Sequence, residues 1–225
     1  MMDPLTEYWQ FAEKYPQYKP EAEVKEFLEA QMRGELVETV DLNKIKNMHS
    51  CMYWHSVRGV IGFVSPTLEW TRALKNIIQN RKVLEVGAGT GLVAKYLDAV
   101  GVDIIATDDY SWYENDEVGE GWKLYYDVEK IDFKDAIGKY RADFLLLCWP
   151  MYGNSLAKEA AEFFTELNPN GLIIYIGEGL DGCTADDEFH NGIEEVNDLR
   201  EVNVVYPQWT GLHDYVSLVK WIKKE

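Results

Sequence analysis

From about residue 63 onward the chain alternates short apolar runs with helical patterns, and this alternation constrains the fold more than any other feature. Lys82 to Val86, Val102 to Thr107, Ala142 to Cys148 and Leu172 to Ile176 are strand-length and nearly continuous in apolar residues. Strands apolar on both faces belong to a parallel sheet covered on both sides by helices. Helical patterns lie between them. Ser65-Pro66 reads as an N-cap with proline at the first helical position, opening a helix through Ile78. Leu92 to Val100 is closed by Gly101, and Ser155 to Leu167 by Asn168-Pro169-Asn170-Gly171. Trp122 to Tyr126 reads as a further strand and Asp186 to Val196 as a helix. Val202 to Tyr206 and Tyr215 to Ile222 are the last two strands, and their short Pro/Gly connection implies an antiparallel hairpin. The expected architecture is α/β: a mostly parallel seven-stranded sheet ending in that hairpin.

Residues 1–62 are different: polar, aromatic-rich and helical in pattern. Pro20 to Arg33 carries Val24, Phe27, Leu28 and Met32 at helical spacing, with Gly34 as the stop. No Gly/Ser linker follows, so this part reads as a helical extension packed on the domain of residues 63–225, a lid or an interface. No apolar run approaches the roughly 20 residues a membrane span needs, and the N-terminus has no secretory pattern. Cys51, Cys148 and Cys183 are an odd, widely spaced set, which fits a reducing cytoplasm better than a disulfide framework. His49, His55 and His190 show no ligand spacing, so no metal site is expected.

The net charge is −17 over 225 residues. Binding a large nucleic acid needs clustered Lys and Arg. The basic concentrations are short: Lys44 to Lys46, Arg81-Lys82 and Lys220 to Lys224. A neutral or cationic small molecule, or a basic protein segment, suits this field better.

The chemistry gathers at Val83-Leu84-Glu85-Val86-Gly87-Ala88-Gly89-Thr90-Gly91-Leu92, between the first sheet strand and its helix. Glycines there let the backbone turn sharply and let a ligand come close, at the edge where open α/β sheets bind ligands. The dinucleotide pattern G-x-G-x-x-G needs a third glycine where this chain has Leu92. Glu85 would also repel a pyrophosphate. A ligand with a cationic group and no phosphate tolerates it.

This loop resembles motif I of the class I S-adenosylmethionine (SAM)-dependent methyltransferases, over residues 63–177. The resemblance implies a Rossmann-like fold and SAM as cofactor. It implies that Glu85, Gly87, Ala88, Gly89 and Gly91 cradle the methionine part, with Cys148 close by. It further implies that Asp108, directly after Val102 to Thr107, accepts from the ribose hydroxyls, with Asp109 next in line. Asp127, just after the expected third strand, is similar to the acid that contacts the adenine amine. The segments Phe63 to Thr67, Leu146 to Pro150, Tyr175 to Glu178 and Pro207 to Asp214 resemble a narrower set of methyltransferase-like proteins, which helps locate the site and names no acceptor.

The acceptor side is read from strand ends. Trp149-Pro150-Met151-Tyr152 follows the fourth strand, where amino-methylating DNA enzymes carry Asp/Asn-Pro-Pro-Tyr. Here Trp149 replaces the polar group, which argues against a nucleic-acid amine. Trp149 and Tyr152 could instead wall a pocket for an aromatic or cationic acceptor. Glu178 could be a general base or bind a cation, and His213-Asp214 an orienting pair. The expected function is a SAM-dependent methyltransferase acting on a small molecule or protein. The alternatives are a SAM-binding protein that transfers nothing, a nucleic-acid amine methyltransferase, and a nucleotide-dependent oxidoreductase, which Leu92 and Glu85 disfavour.

Overall fold

The computed structural model of the chain describes residues 4–42, 48–111 and 123–222. Trp122, the first residue of the expected third strand, the run Lys44 to Lys46, and Lys223-Lys224 lie outside them. The first part of the chain forms three helices, α1 (Pro4–Lys14), α2 (Ala22–Arg33) and α3 (Met48–Ile61). Then α4 (Leu68–Ile78) leads into β1 (Val83–Val86), α5 (Leu92–Ala99), β2 (Ile104–Asp108) and β3 (Val128–Lys130). After these come α6 (Phe133–Tyr140), β4 (Phe144–Cys148), α7 (Leu156–Leu167), β5 (Leu172–Gly177), α8 (Asp187–Gly192), β6 (Ile193–Asn197), α9 (Arg200–Asn203) and β7 (Tyr215–Trp221).

The seven strands make one sheet in the order β3-β2-β1-β4-β5-β7-β6. β3, β2, β1, β4 and β5 pair in parallel, while β7 runs antiparallel to both β5 and β6. This is the Rossmann-like α/β sheet with an antiparallel C-terminal pair. The physical basis is visible in β4. Phe144 and Leu146 point into a core with α4 and α5, and Leu145 and Leu147 into a second core with α6 and α7. With both faces buried, each leucine contributes about 1.5–3 kcal/mol, and no polar position is allowed along the strand.

Four expectations shift. The helix after Pro66 is capped by Thr67, whose hydroxyl accepts from Trp70 N at 3.2 Å, while the Pro66 carbonyl is taken by Gln31 at 2.7 Å. Val202 to Tyr206 is no strand; α9 and a turn occupy it. The sheet's edge strand is β6, taken from the second half of the expected Asp186 to Val196 helix, where Ile193, Glu194 and Glu195 pair with β7 and Val196 falls at a register shift before Asn197. The third strand is Val128–Lys130 rather than Trp122 to Tyr126.

The N-terminal helices have a core of their own. Tyr8, Val24, Phe27, Leu28, Tyr53, Trp54 and Val57 pack with Leu92, Tyr96, Tyr125 and Trp209 of the sheet domain. Polar contacts reinforce it: Tyr96 Oη accepts from Val37 N at 2.9 Å and donates to Glu35 O at 3.0 Å. Among the described residues, no helix is long and apolar enough to cross a membrane, and no group of three or more His, Cys, Asp and Glu could hold a metal ion.

Candidate functional site

Parallel strands all leave the sheet at one edge. There the sequence places Glu85 and the glycine loop after β1, Asp108 at the end of β2, Cys148-Trp149 after β4 and Glu178 after β5. Because β7 is reversed, its entry lies at the same edge: Tyr215 pairs with Gly177, and Asp214 stands just before it.

In the loop, Gly87, Gly89 and Gly91 have φ of 67°, 55° and 73°, the left-handed region that side chains resist. They serve two purposes. A Cβ on Gly91 would lie 2.6 Å from Val128 Cγ2, so this glycine lets α5 start against β3. A Cβ on Gly87 or Gly89 would meet nothing within 4 Å. The space over those two is open to a ligand. Ala88 N donates to Thr107 O at 3.0 Å and ties the loop to β2. Thr90 donates to Ile61 O at 2.9 Å and ties it to the end of α3.

Glu85 and Asp108 sit on either side of this loop in contrasting states. Asp108 is buried, its Oδ2 accepting from Gly89 N and its Oδ1 from Tyr110 N, both at 2.7 Å. Glu85 is 1% exposed and its Oε2 has no hydrogen-bond partner among the described residues. Burial first, and the charge of Asp108 second, push its pKa up to about 8. Cys148, at the end of β4, is pushed well above the usual thiol range by burial and by the charges of Glu85 and Asp214.

Asp127 departs from the expectation. It enters β3 instead of leaving it, because the strand begins at Val128, and it is exposed. It lines a cavity of about 250 Å³ with Ile104, Ala106, Tyr126, Glu129 and Tyr140, which contains no residue of the glycine loop.

On the other side of the edge, Trp149 is half-buried with φ 49°, a left-handed conformation unusual for a bulky residue. Its Nε1 donates to Asp214 Oδ2 at 3.1 Å, and its ring lies nearly parallel to Phe63, at 10° and 5.1 Å between centroids. Arg58 of α3 stands over the Phe63 ring at 5.1 Å. Tyr152 is 64% exposed in the turn that follows, so it stands apart from this stack. Glu178 is buried, and both oxygens are engaged: Oε2 accepts from Cys183 N and Oε1 from His213 N, each at 2.9 Å. Burial raises its pKa, but the hydrogen bonds from Cys183 and His213 outweigh that, and the net shift is downward. As placed, it clips two loops together. The His213 side chain is 88% exposed, its Nδ1 3.9 Å from Glu178 Oε1.

Sequence reasoning undervalued Asp214 and overlooked Tyr206 and Phe63 as partners of Trp149. Asp214 is 3% exposed. Its Oδ2 accepts from both Trp149 Nε1 and the Tyr206 hydroxyl, while Oδ1 has no partner among the described residues. One signal was available. An acid directly before a reversed strand shares the edge with residues that follow the parallel ones.

The chain is similar to solved methyltransferase structures at low identity. The CcbJ methyltransferase from Streptomyces caelestis is 16% identical, covering 70% of this chain and 91% of that one, with a TM-score of 0.41. The 1,6-didemethyltoxoflavin-N1-methyltransferase of Burkholderia thailandensis, solved with S-adenosylhomocysteine (SAH), is 15% identical over 68% and 77%, with a TM-score of 0.42. Magnesium protoporphyrin IX methyltransferase from Synechocystis PCC 6803, with bound SAM, is 13% identical over 68% and 74%, with a TM-score of 0.39. At these values the likeness is one of fold alone. No family model matches the chain, and no curated protein matches it.

Proposed function

We propose that the chain binds SAM across the β1–α5 loop and transfers its methyl group to a small-molecule or protein acceptor. The carrying observation is Glu85: a carboxylate with an orphaned, buried oxygen, beside the open space over Gly87 and Gly89. Such an oxygen costs about 1–3 kcal/mol until a donor reaches it, and the ammonium of SAM is a donor of the right charge. Asp108, held at the end of β2 by Gly89 N and Tyr110 N, would face the ribose hydroxyls. Asp127, exposed at the start of β3, drops out of the set.

When bound, SAM supplies an activated methyl group. The protein's part is then alignment and exclusion of water. Trp149, fixed by Asp214 and covered by Phe63, would form the wall beside the acceptor. The end of α3, with Arg58, and Phe63 just beyond it would close the site from above, which makes the N-terminal helices a cover built into the fold. Glu178 would act as a positioning residue, holding the 178–184 loop against His213.

Calorimetric titration tests the cofactor reading. The expected result is SAH binding that Asp108→Ala weakens ten-fold or more, and NAD binding much weaker or absent. Tight NAD binding with no SAH binding would overturn it. A SAM-binding protein without transferase activity is the second reading, favoured by Glu178, whose two oxygens are both taken by loop N–H groups. SAH formation with cell extract separates the two.

A further inference from the structure

Asp214 is built unlike any other acid on the acceptor side. It stands at the carboxyl edge, one strand removed from Cys148 and Trp149, and reaches across the end of β5 to take the indole N–H of Trp149 at 3.1 Å. The Tyr206 hydroxyl donates to the same oxygen, Oδ2. Two donors on one oxygen fix the plane of the carboxylate. The second oxygen, Oδ1, is buried and has no partner among the described residues. Buried polar atoms are paired in folded proteins in the great majority of cases, and an exception at a strand-end site points to a missing ligand.

The character of that ligand follows from the charges. An ionised carboxylate accepts hydrogen bonds and donates none. Burial most of all, and the negative charge of Glu178, disfavour its ionisation, while the Tyr206 and Trp149 bonds and its own backbone N–H favour it. A cationic donor would relieve both penalties at once, as charge-assisted bonds do. Trp149 adds an aromatic surface at the same point, whose face attracts cations and accepts flat rings, as its stacking with Phe63 illustrates.

We propose that Asp214 is the acceptor-binding carboxylate: Oδ1 receives an N–H from an amine-bearing acceptor that lies against Trp149. The word acceptor rests on the methyltransferase reading above; the amine site itself rests on Asp214, Trp149 and Tyr206. Asp214 thereby has two duties, holding the wall with one oxygen and the ligand with the other.

The test uses the full chain loaded with SAH and three probe amines, benzylamine, tryptamine and spermidine, with benzyl alcohol as the uncharged counterpart of the first. At least one amine is expected to move both the indole N–H signal of Trp149 and the carboxyl ¹³C signal of Asp214 in magnetic resonance spectra. Benzyl alcohol is expected to bind at least ten-fold more weakly than benzylamine if benzylamine is among the binders. Asp214→Asn, which keeps an acceptor for Tyr206 and Trp149, is expected to weaken amine binding ten-fold or more. No shift with any amine overturns the proposal, as does amine binding unchanged in the Asn variant. If that variant fails to fold, the wild-type carboxyl signal decides alone: movement with an amine supports the site, and a stationary signal overturns it. If SAH does not bind, the cofactor reading falls separately, and the same titrations on the free chain carry the same two outcomes.

Discussion

The two halves of the carboxyl edge solve the same electrostatic problem with different materials. Each holds one carboxylate bonded at both oxygens to backbone N–H groups and one buried carboxylate with an orphaned oxygen. On the β1–β2 side these are Asp108 and Glu85; on the β4–β5–β7 side they are Glu178 and Asp214. The bonded acid fixes a loop, and the orphaned acid waits for a donor. The halves differ in how the chain supplies them. The first comes from one stretch, residues 85–108, whose glycines and strand ends lie within a single β-α-β unit. The second is gathered from Phe63, Trp149, Glu178, Tyr206 and Asp214, positions up to 151 residues apart in the numbering. A local unit can announce itself by pattern, whereas a gathered one has no pattern to read.

The comparison breaks most readily at Glu85. Its folded pKa lies near 8 against an ordinary 4.5. Between those values the folded chain binds more protons than the unfolded chain, so the stability from this group is fully present below about pH 4.5. It is lost as pH rises through about 8. Glu85→Gln removes the effect. The free variant is expected to match wild type near pH 4.5 and to exceed it increasingly up to pH 8, by no more than about 5 kcal/mol at 1.36 kcal/mol per pKa unit. Denaturant titrations at several pH values check this. A difference independent of pH would show that Glu85 is ionised and partnered like Asp108, and the contrast would fail. In the same window a cation bound beside Glu85 should displace its proton. SAM affinity is therefore expected to rise with pH and to level off above about 8, and calorimetry in two buffers of different ionisation enthalpy should detect the released proton.

The glycines sharpen the distinction between architecture and site. Gly91→Ala must accommodate both φ 73° and a Cβ 2.6 Å from Val128. It is expected to cost about 2–3 kcal/mol, combining left-handed strain with overpacking. Gly89→Ala has the strain without the clash, and about 1–2 kcal/mol is expected. Its larger effect should fall on SAH affinity, since the added methyl would occupy the open space over the loop. Thermal unfolding and titration of the two variants should therefore rank them in opposite orders.

On the second half, Glu178→Gln keeps one acceptor oxygen and gives up the other, so about 1 kcal/mol of stability should be lost. SAH affinity should be unaffected. A large drop in SAH affinity would make Glu178 part of the cofactor site rather than a loop clip. The smallest effect is expected at His213. With its side chain 88% exposed, His213→Ala should change stability within roughly 0.5 kcal/mol, because the contact to Glu178 runs through the backbone N–H, which alanine retains.

The amino-acid sequence by itself determined β1, β2, β4 and β5 of the sheet and the glycine loop at its edge. Near-continuous apolar runs such as Phe144–Cys148 could only be buried on both faces, and three glycines after a strand could only be a tight turn into a helix. These are local facts, settled by steric and hydrophobic demands within about ten residues. Where local demands were evenly balanced, tertiary structure chose. Asp186 to Val196 had a helical start, but its second half pairs with β7, because an edge strand there continues the sheet. Asp127 lost its expected place when β3 began two residues after Tyr126, a register decided by pairing with β2 and by Gly91 packing on Val128. On the acceptor half, the strand ends offered Trp149, Glu178 and Asp214 one by one, and the fold decided that Trp149 meets Asp214 and Phe63. Asp214 acquires its meaning only because β7 runs backwards, which brings its first residues to the edge where Trp149 and Glu178 emerge. The sequence marks a reversed last strand; which strands it joins, β5 on one side and β6 on the other, is set by how the whole chain returns to the sheet.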